Sequence, residues 1–403
     1  MRVVNFRTIE EFDIARKRVV IRVDLNVPIR DEVILNTARV KAIIPTIEYC
    51  LRQHAEVVLL SHLGRPKGTC DPKFTLQPVA KELERFLNHP VEFVEDWRTW
   101  LRRSADSEHV LDSRVQLVEN IRFEPGEESN SNVLGEELAS LGDLYVMEAF
   151  GTLHRAHAST YKAVQAARQV GIGFLLAQEL RMLSLAMVSP QRPLVVVIGG
   201  SKVSSKLKVV QHLLTQADTI LIGGGMANTF LLAMKHTIGT SLVEIEFLEE
   251  VSEMLSSGRI KVPHDVMVCD GSLDEHGKSI HRLVDEVKAQ EMIVDIGPDT
   301  ARCYTKLIKQ AGTVIWNGPM GVFEYDQFGE GTRVVGKAIG ESAAFTLAGG
   351  GETIAAIDHN DLSQQLDYIS TGGGAFLEFI QGATLPGISA LRAHACNNDR
   401  CRN

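Results

Sequence analysis

The chain has 403 residues, of which 44% are hydrophobic and 23% charged, close to the average of soluble globular proteins. Its 42 Lys and Arg against 51 Asp and Glu leave a net charge of −9, which argues against a general nucleic-acid binder. No apolar run of about 18 residues could cross a membrane, and the acidic beginning is unlike a signal peptide. At about 100–200 residues per domain, the length predicts two or three domains.

The six cysteines are too few for a disulfide scaffold, so we expect a reduced, cytoplasmic compartment. Cys396 and Cys401 lie close together in the polar C-terminal tail. A metal or disulfide there stays open, although the composition favours a disordered tail.

Short β-branched runs recur along the chain, each ending in glycine or a polar residue. They predict eleven strands, at Arg18–Val23, Glu56–Leu60, Val91–Val94, Val115–Val118, Leu144–Met147, Leu194–Ile198, Thr219–Ile222, Val266–Cys269, Met292–Ile296, Thr313–Trp316 and Phe345–Ala348. Because these runs are continuous rather than alternating, they suit strands buried on both faces of a parallel sheet. Apolar residues at helical spacing predict helices at Arg39–His54, Ser204–Thr215 and Ala301–Gln310. Strands alternating with helices indicate a doubly wound α/β fold.

Eleven strands are too many for one comfortable sheet, so we predict two sheets that face each other across a cleft. The amphipathic segment Gly171–Pro193, which ends in the breaker run SPQRP, is interpreted as an interdomain helix and the approach to the next strand. The predicted division is a first domain at 1–170, an interdomain helix at 171–189 and a second domain at 190–376.

The carboxyl ends of the strands are where doubly wound sheets bind their ligands. In the first half these ends carry four arginines and three histidines: Arg39, Arg65, Arg122, Arg155, His62, His154 and His157. Guanidinium groups match phosphate and carboxylate geometry, so the cluster predicts a small, multiply anionic substrate. A solvated surface charge is the alternative for any single arginine, and a buried structural role is the alternative for each histidine, with His62 the strongest candidate ligand.

In the second half the strand ends are rich in glycine, at Gly199–Lys206, Gly223–Phe230, Asp295–Pro298, Trp316–Glu324, Gly349–Thr353 and Ser370–Phe376. Glycines let backbone N–H groups approach a phosphate, although tight strand–helix packing is the alternative for any one of them. Neither a Walker motif nor a dinucleotide-binding G-x-G-x-x-G is present, which disfavours a P-loop protein and an NAD-dependent oxidoreductase. Lys202 and Lys206 are predicted to share a face at the start of a helix.

These motifs resemble those of the phosphoglycerate kinases, over about Arg18 to Leu391. They occur in family order: RVDLNVP (Arg22–Pro28), SHLGRP (Ser61–Pro66), ENIRF (Glu119–Phe123), AFGTLHRAH (Ala149–His157), GGSKV (Gly199–Val203), WNGPMGVFE (Trp316–Glu324) and STGGGA (Ser370–Ala375). The resemblance implies two Rossmann-like domains joined by a hinge, with residues 377–403 returning to the first domain. It implies 3-phosphoglycerate or 1,3-bisphosphoglycerate as ligand of the first domain, ADP or ATP with Mg²⁺ as ligand of the second, and a monomer.

The resemblance also implies roles for individual residues. The implied substrate contacts are Asp24, Leu25, Asn26, Arg39, His62, Leu63, Gly64, Arg65, Arg122 and Arg155. The implied nucleotide contacts are Lys202, Lys206, Asn317, Pro319, Glu324, Gly350, Gly351, Glu352 and Thr353, with Glu324 on the ribose and Glu352 beside the metal. We expect Arg39, Lys202 and the N–H groups of Gly372 and Gly373 to act on the transferring group.

The chain departs from the commonest family pattern at Met147, Glu148, Ser201, Ser205 and Glu352. Of these, Glu352 touches the expected chemistry, because it keeps the charge of the usual Asp but extends the carboxylate by one methylene. The departures leave a second hypothesis, a catalytically silent nucleotide-binding module on the same fold.

Overall fold

The computed structural model describes residues 6–105, 114–271, 273–274 and 276–400, so Cys401 lies outside the described residues. The chain forms two compact units. We call the residues up to Arg181, together with those from Thr384 onward, the N-terminal domain, and Met182 to Ala383 the C-terminal domain. None of the helices in the described ranges has the length and apolar character needed to cross a membrane.

The N-terminal domain is built on a six-stranded parallel sheet. The strands of this sheet are β1 (Arg18–Arg22), β4 (Glu56–Leu60), β5 (Val91–Val94), β6 (Val115–Val118), β7 (Leu144–Met147) and β8 (Val170–Ile172). Strands β2 (Ile29–Arg30) and β3 (Val33–Ile34) form a separate two-stranded hairpin. The order across the sheet is β5-β6-β4-β1-β7-β8. Strand β1 is therefore central, with Arg22 opposite both Leu60 and Met147.

Helices cover this sheet and place polar residues at its carboxyl edge. They are α1 (Ala38–Arg52), α2 (Gln77–Leu87), α3 (Trp97–Ala105), α4 (Pro125–Glu128), α5 (Asn132–Ala139), α6 (Ala163–Ala166) and α7 (Phe174–Met187), which runs on into the C-terminal domain. Helix α1 buries Val40, Ile43 and Ile47 against the sheet, as its helical spacing predicts. That packing leaves Arg39, in the first turn of α1, at the sheet's carboxyl edge.

The C-terminal domain has a second six-stranded parallel sheet, ordered β11-β10-β9-β15-β16-β17, and a three-stranded antiparallel sheet, ordered β13-β12-β14. The strands are β9 (Leu194–Ile198), β10 (Thr219–Ile222), β11 (Ile260–Lys261), β12 (Asp265–Cys269), β13 (Ser279–Leu283), β14 (Met292–Ile296), β15 (Thr313–Asn317), β16 (Phe345–Gly349) and β17 (Tyr368–Ser370). The helices are α8 (Leu207–Leu214), α9 (Ala227–Ala233), α10 (Leu248–Ser256), α11 (Pro298–Lys309), α12 (Glu330–Gly340), α13 (Gly351–His359) and α14 (Gly374–Ile380). A last helix, α15 (Pro386–Arg400), packs on α6 of the N-terminal domain.

The prediction of an α/β protein with two parallel sheets is confirmed, and each of the eleven predicted strands is present within one residue of its predicted bounds. Two assignments were wrong. Strands β12 and β14 pair antiparallel in the small sheet, because a run buried on both faces has the same composition in either sheet type. The tail also differs from the disordered segment favoured above, since Cys396 lies in α15.

Glu148, one of the departures from the family pattern, caps the start of α7. Its carboxylate is fully buried and accepts hydrogen bonds from the backbone N–H groups of Leu175, at 3.1 Å, and Leu176, at 3.0 Å, and from the Thr46 hydroxyl. A side chain at Gly173 would occupy the space of this carboxylate. The longer acid is thus accommodated as a helix cap, which satisfies two N–H groups that have no partner within the helix.

Gly318, which follows β15, is held in a conformation and a space that exclude a side chain. Its φ is +100°, and an added Cβ would collide with the backbone of Gly199. We expect Gly318→Ala to lower the free energy of unfolding by about 2 kcal/mol or more, since backbone strain and a backbone clash add. Gly258→Ala is the matched control, because Gly258 also has a positive φ (+70°) but nothing within 4 Å of an added Cβ. Equal losses for the two variants in urea unfolding would show that the clash contributes nothing.

Candidate active site

In the N-terminal domain, Arg39 is held at the carboxyl edge of the sheet by groups of the loop that follows β1. Its Nη1 donates to Asp24 Oδ1 and to the backbone oxygen of Asn26, both at 2.9 Å. The Asn26 side chain in turn accepts from the N–H of Gly64 at 2.9 Å. About a third of the Arg39 side chain stays exposed, so the guanidinium is oriented by protein groups yet open to a ligand.

Arg122 joins the same edge from the loop after β6. Its Nη1 donates to the backbone oxygen of Gly64 at 2.7 Å, and its Nε lies 3.6 Å from the Glu128 carboxylate. Burial, together with the charge of Arg22, lowers the pKa of Arg122 to about 10, so it remains a cation at neutral pH. Its Nε is buried without a hydrogen bond, so the protein leaves this cation only partly compensated.

His62 lies after β4 and is almost completely buried. Its Nδ1 is 3.3 Å from Nη2 of Arg22, the last residue of β1. The pKa of His62 lies well below its ordinary value. Burial is the main cause, and the positive charges of Arg22, Arg122 and Arg39 are the next. His157 is likewise buried, and burial with neighbouring arginines lowers its pKa to about 4. Both rings are therefore neutral at pH 7.

The remaining predicted substrate residues are placed less directly. Arg65 is exposed, whereas Arg155 is half-buried and donates from Nε to His154 Nε2 at 3.1 Å. Leu25 and Leu63 are core residues, and their backbone groups bind Ser61 Oγ and Asn120 Nδ2. The two leucines therefore shape this edge through their backbone groups and their packing in the core.

In the C-terminal domain, Lys206 and Asn317 meet although they are 111 residues apart. The buried Lys206 ammonium donates to Asn317 Oδ1, and Asn317 Nδ2 donates to the backbone oxygen of Gly349 at 2.6 Å. Beside them, Thr353 Oγ1 accepts from the N–H of Gly318 at 2.8 Å. The ends of β9, β15 and β16 are thereby joined by polar side chains.

The predicted shared helix face of Lys202 and Lys206 was wrong. Helix α8 begins only at Leu207, and both lysines lie in the turn before it, Lys202 exposed and Lys206 buried. Residues four apart share a face only within a helix. The segment that begins at Gly199 forms a loop before the helix starts.

A cavity of about 270 Å³ opens beside these strand ends, within the C-terminal domain. Glycine backbone, apolar side chains and two carboxylates line it: Gly200, Gly224, Gly225, Gly321, Leu242, Leu273, Met292, Val322, Phe323, Pro319, Glu324 and Glu352 are among the lining residues. Glu352 Oε2 lies 3.2 Å from where a Cβ of Gly200 would stand, so the glycine leaves that space to the carboxylate. Apolar walls with a few polar groups are typical of a small-molecule site.

Two further glycine turns precede helices. Gly350 has φ +101° and precedes α13, whose first residues are Gly351 and Glu352, while Gly373 has φ +49° and precedes α14. The N–H of Gly372 is engaged by Ser370 Oγ at 3.1 Å. Gly372 and Gly373 are not among the residues lining the cavity.

Several residues of these sites escaped the sequence analysis. The apolar walls of the cavity come from segments far apart in the chain, and no local pattern unites them. Arg22 is one of these residues, and the charge at the end of the otherwise apolar strand RVVIR is the sequence signal that could have found it. Its hydrogen-bond partner Ser159, and Glu127, which binds Ser159, are both buried and have no comparable signal in the sequence.

Lys206 predicts a pH dependence of anion binding. Burial is the main cause that lowers its pKa from 10.5 to about 8, and the Glu352 carboxylate opposes the shift. Below that pH the lysine is a cation that attracts phosphate, and above it the charge is lost. We therefore expect the affinity for ADP, the ligand that the resemblance implies for this domain, to fall as the pH rises through about 8, by at most about tenfold per pH unit for one proton. Titration calorimetry across this range measures it, and an affinity that stays flat would contradict the assignment.

Comparison with known proteins agrees with this geometry. The family model described as phosphoglycerate kinase matches residues 9–383. The chain is 43% identical to a phosphoglycerate kinase of Francisella tularensis, over 97% of this chain and 100% of that protein, and 46% identical to one of Legionella pneumophila, over 97% and 98%. The solved phosphoglycerate kinase of Coxiella burnetii superimposes with a TM-score of 0.91 at 42% identity, covering 97% of this chain and 100% of that one. That of Pyrococcus horikoshii gives 0.81 at 33% identity, covering 97% and 99%.

Fold and site together define a two-domain α/β protein with an arginine-rich strand edge in one domain and a glycine-lined cavity at the strand ends of the other. In this class the two kinds of site suit a phosphorylated acid and a nucleotide. The chain belongs to the phosphoglycerate kinase family. The predicted function is confirmed with it: the chain is a nucleotide-binding transferase with phosphoglycerate kinase activity, in glycolysis and gluconeogenesis.

Proposed function

We propose that the chain transfers a phosphoryl group reversibly and directly between 1,3-bisphosphoglycerate and ADP, giving 3-phosphoglycerate and ATP. The observation that carries the substrate assignment is the Arg39 and Arg122 pair at the edge of the N-terminal sheet. Asp24, Asn26 and Gly64 hold both guanidinium groups in place before any ligand arrives. Such oriented cations match the phosphate and carboxylate of a small acid.

The nucleotide is assigned to the cavity of the C-terminal domain. The apolar side chains of Leu242, Met292 and Val322 suit a base, and Glu324 at the cavity surface suits the ribose hydroxyls. The buried Lys206 ammonium and the first turn of α13 suit the phosphates, because a helix N-terminus favours negative charge.

A nucleotide-borne Mg²⁺ fits the groups present. Glu352 supplies one carboxylate beside Gly200, and the described residues contain no cluster of three or more metal-ligating side chains. One carboxylate together with substrate phosphates is how Mg²⁺ is commonly bound. When bound, the ion neutralises charge on the phosphates. Compared with the usual Asp, the extra methylene of Glu352 changes how its carboxylate reaches the ion.

Little covalent chemistry is required of the protein. In the ATP-consuming direction the attacking group is a carboxylate, which is ionised at neutral pH, so no general base is needed. The residues must instead align the two reacting oxygens and stabilise the negative charge of a loose, in-line transition state. We assign this to Arg39 from the N-terminal domain, and to Lys202 and the N–H groups of Gly372 and Gly373 from the C-terminal domain. The Gly372 N–H donates to Ser370 Oγ at 3.1 Å and must exchange that partner to act on the transferring group.

Because these groups belong to different domains, direct transfer requires a closure that also excludes water from the acyl phosphate. Candidate hinge elements are α7 and the turn at Ser370–Gly373. We expect 3-phosphoglycerate together with MgADP, a pair that cannot react, to reduce the radius of gyration in small-angle X-ray scattering. Either ligand alone serves as the control. An unchanged radius with both ligands bound would count against closure.

The activity itself is tested by a coupled assay of 1,3-bisphosphoglycerate formation from 3-phosphoglycerate and MgATP. A folded protein that binds MgADP yet forms no product would favour the silent nucleotide-binding module. The hydrogen bonds that orient the side chains of Arg39, Arg122 and Lys206 support the active enzyme instead.

A further inference from the structure

The tautomer of His62 follows from what its ring faces. A guanidinium has N–H donors and no acceptor, so a hydrogen bond between Arg22 Nη2 and His62 Nδ1 requires Nδ1 to be the acceptor. A protonated imidazolium carries hydrogen on both nitrogens and cannot accept there. The remaining ring proton therefore resides on Nε2. Turning the ring over would place a C–H group against the guanidinium and lose this hydrogen bond.

Arg22 cannot turn away from His62 easily, because its Nε and Nη1 each donate to another buried group. It is fully buried, its Nε donates to Ser159 Oγ at 2.8 Å, and its Nη1 donates to the backbone oxygen of Val23. The Ser159 hydroxyl donates onward to Glu127 Oε1 at 2.6 Å, and the Ser159 N–H donates to Glu127 Oε2 at 2.9 Å. The buried Glu127 carboxyl thus orients Ser159, and Ser159 orients Arg22. The Arg22 bond to His62 keeps its direction whatever the protonation of Glu127, since arginine cannot accept.

The surroundings of His62 also disfavour a second proton. The charged or titratable groups acting on it are Arg22, Arg122, Arg39 and His157; the three arginines oppose a positive charge on the ring, and His157 adds to this only where it is itself protonated. No described residue is hydrogen-bonded to the other ring nitrogen, Nε2. Because Nε2 is nevertheless absent from the fully buried polar atoms that lack a partner, it keeps some accessible surface. It is therefore the ring atom available to a ligand.

We propose that Arg22 is a positioning residue that holds His62 as a neutral imidazole protonated on Nε2, so that His62 offers the phosphoglycerate substrate one uncharged hydrogen-bond donor. The identity of the substrate rests on the function proposed above, whereas the tautomer does not. Under this assignment the positive charge of the site comes from arginines, and the His62 donor persists at pH values where an ordinary histidine changes charge.

The tautomer is measured directly in the ligand-free protein by long-range ¹H–¹⁵N correlation NMR of histidine-labelled chain, with His62→Asn to assign the ring signals. We expect the pattern of a neutral ring protonated on Nε2, unchanged between about pH 5.5 and 8.5, across the range in which unperturbed histidine titrates. A ring protonated on Nδ1, or one that becomes doubly protonated within this range, would overturn the proposal.

Arg22→Met tests the cause, and Arg18→Met is its matched control. Arg18 lies four residues before Arg22 in the same strand, is also largely buried and pairs with Glu56 at 2.6 Å. We expect Arg22→Met alone to change the His62 pattern and to raise the KM for 3-phosphoglycerate about tenfold, the effect of one lost hydrogen bond, with a smaller change in kcat. An unchanged His62 pattern in folded Arg22→Met would refute the positioning role. If Arg22→Met does not fold, the wild-type spectrum still decides the tautomer.

The two proposals fail separately. A wild-type protein with the Nε2 proton but without 1,3-bisphosphoglycerate formation would remove the proposed substrate and keep the tautomer. An active enzyme whose His62 is protonated on Nδ1 would do the reverse.

Discussion

Arg39→Ala should lower kcat by about 10²–10³, with little change in the affinity for ADP. The size is that of one oriented donor to developing negative charge, roughly 3–4 kcal/mol. The orientation is already present, since Asp24 and the Asn26 backbone oxygen hold the guanidinium at 2.9 Å from each. ADP affinity should be spared because the proposed nucleotide site belongs to the other domain. Steady-state kinetics in the coupled assay and calorimetry of MgADP binding measure the two quantities.

The control for this variant is Lys41→Ala. Lys41 is an exposed cation two residues further along α1, so its removal changes the net charge equally but leaves the strand edge intact. Arg39→Lys keeps the charge but loses the planar fork, and we expect a kcat between those of wild type and Arg39→Ala. A near-normal kcat for Arg39→Ala in folded protein would exclude Arg39 from the transfer step.

Lys206→Met should weaken ADP binding by roughly 10- to 150-fold, corresponding to about 1.5–3 kcal/mol for a hydrogen bond involving a charged group. The ammonium is buried and held by Asn317, and its charge is available below about pH 8. Methionine has a similar length and no charge. The variant should also lose the fall in affinity above pH 8, which ties the pH dependence to this residue.

Stability provides a second readout for Lys206→Met. Removing a desolvated cation favours folding, while leaving Asn317 Oδ1 without its donor opposes it, so we expect the free energy of unfolding to stay within about 2 kcal/mol of wild type. Lys208→Met, at an exposed position in α8, is the control for loss of one lysine. If the two variants bind ADP equally well, Lys206 does not hold the phosphates.

Much of this protein follows from its sequence. Continuous β-branched runs suit strands covered on both faces, and the predicted strands recur in the structure almost residue for residue. Arginines in one half and glycines in the other follow those strands, so the edge proposed to bind ligands could be located from the chain alone. The motifs and their order along the chain are enough to identify the family.

Tertiary structure decided which of these residues meet and which protonation they hold. Strands β12 and β14 carry the composition of parallel strands but pair antiparallel in a separate sheet, because composition reports burial rather than direction. Lys202 and Lys206 have the same chemistry, and only packing exposes one and buries the other beside Asn317, which lowers its pKa. The tautomer of His62 likewise depends on Arg22, a partner 40 residues away that the sheet places beside it. Desolvation and hydrogen-bond direction are properties of neighbours in space, and neighbours distant in the sequence are determined by how strands and helices pack.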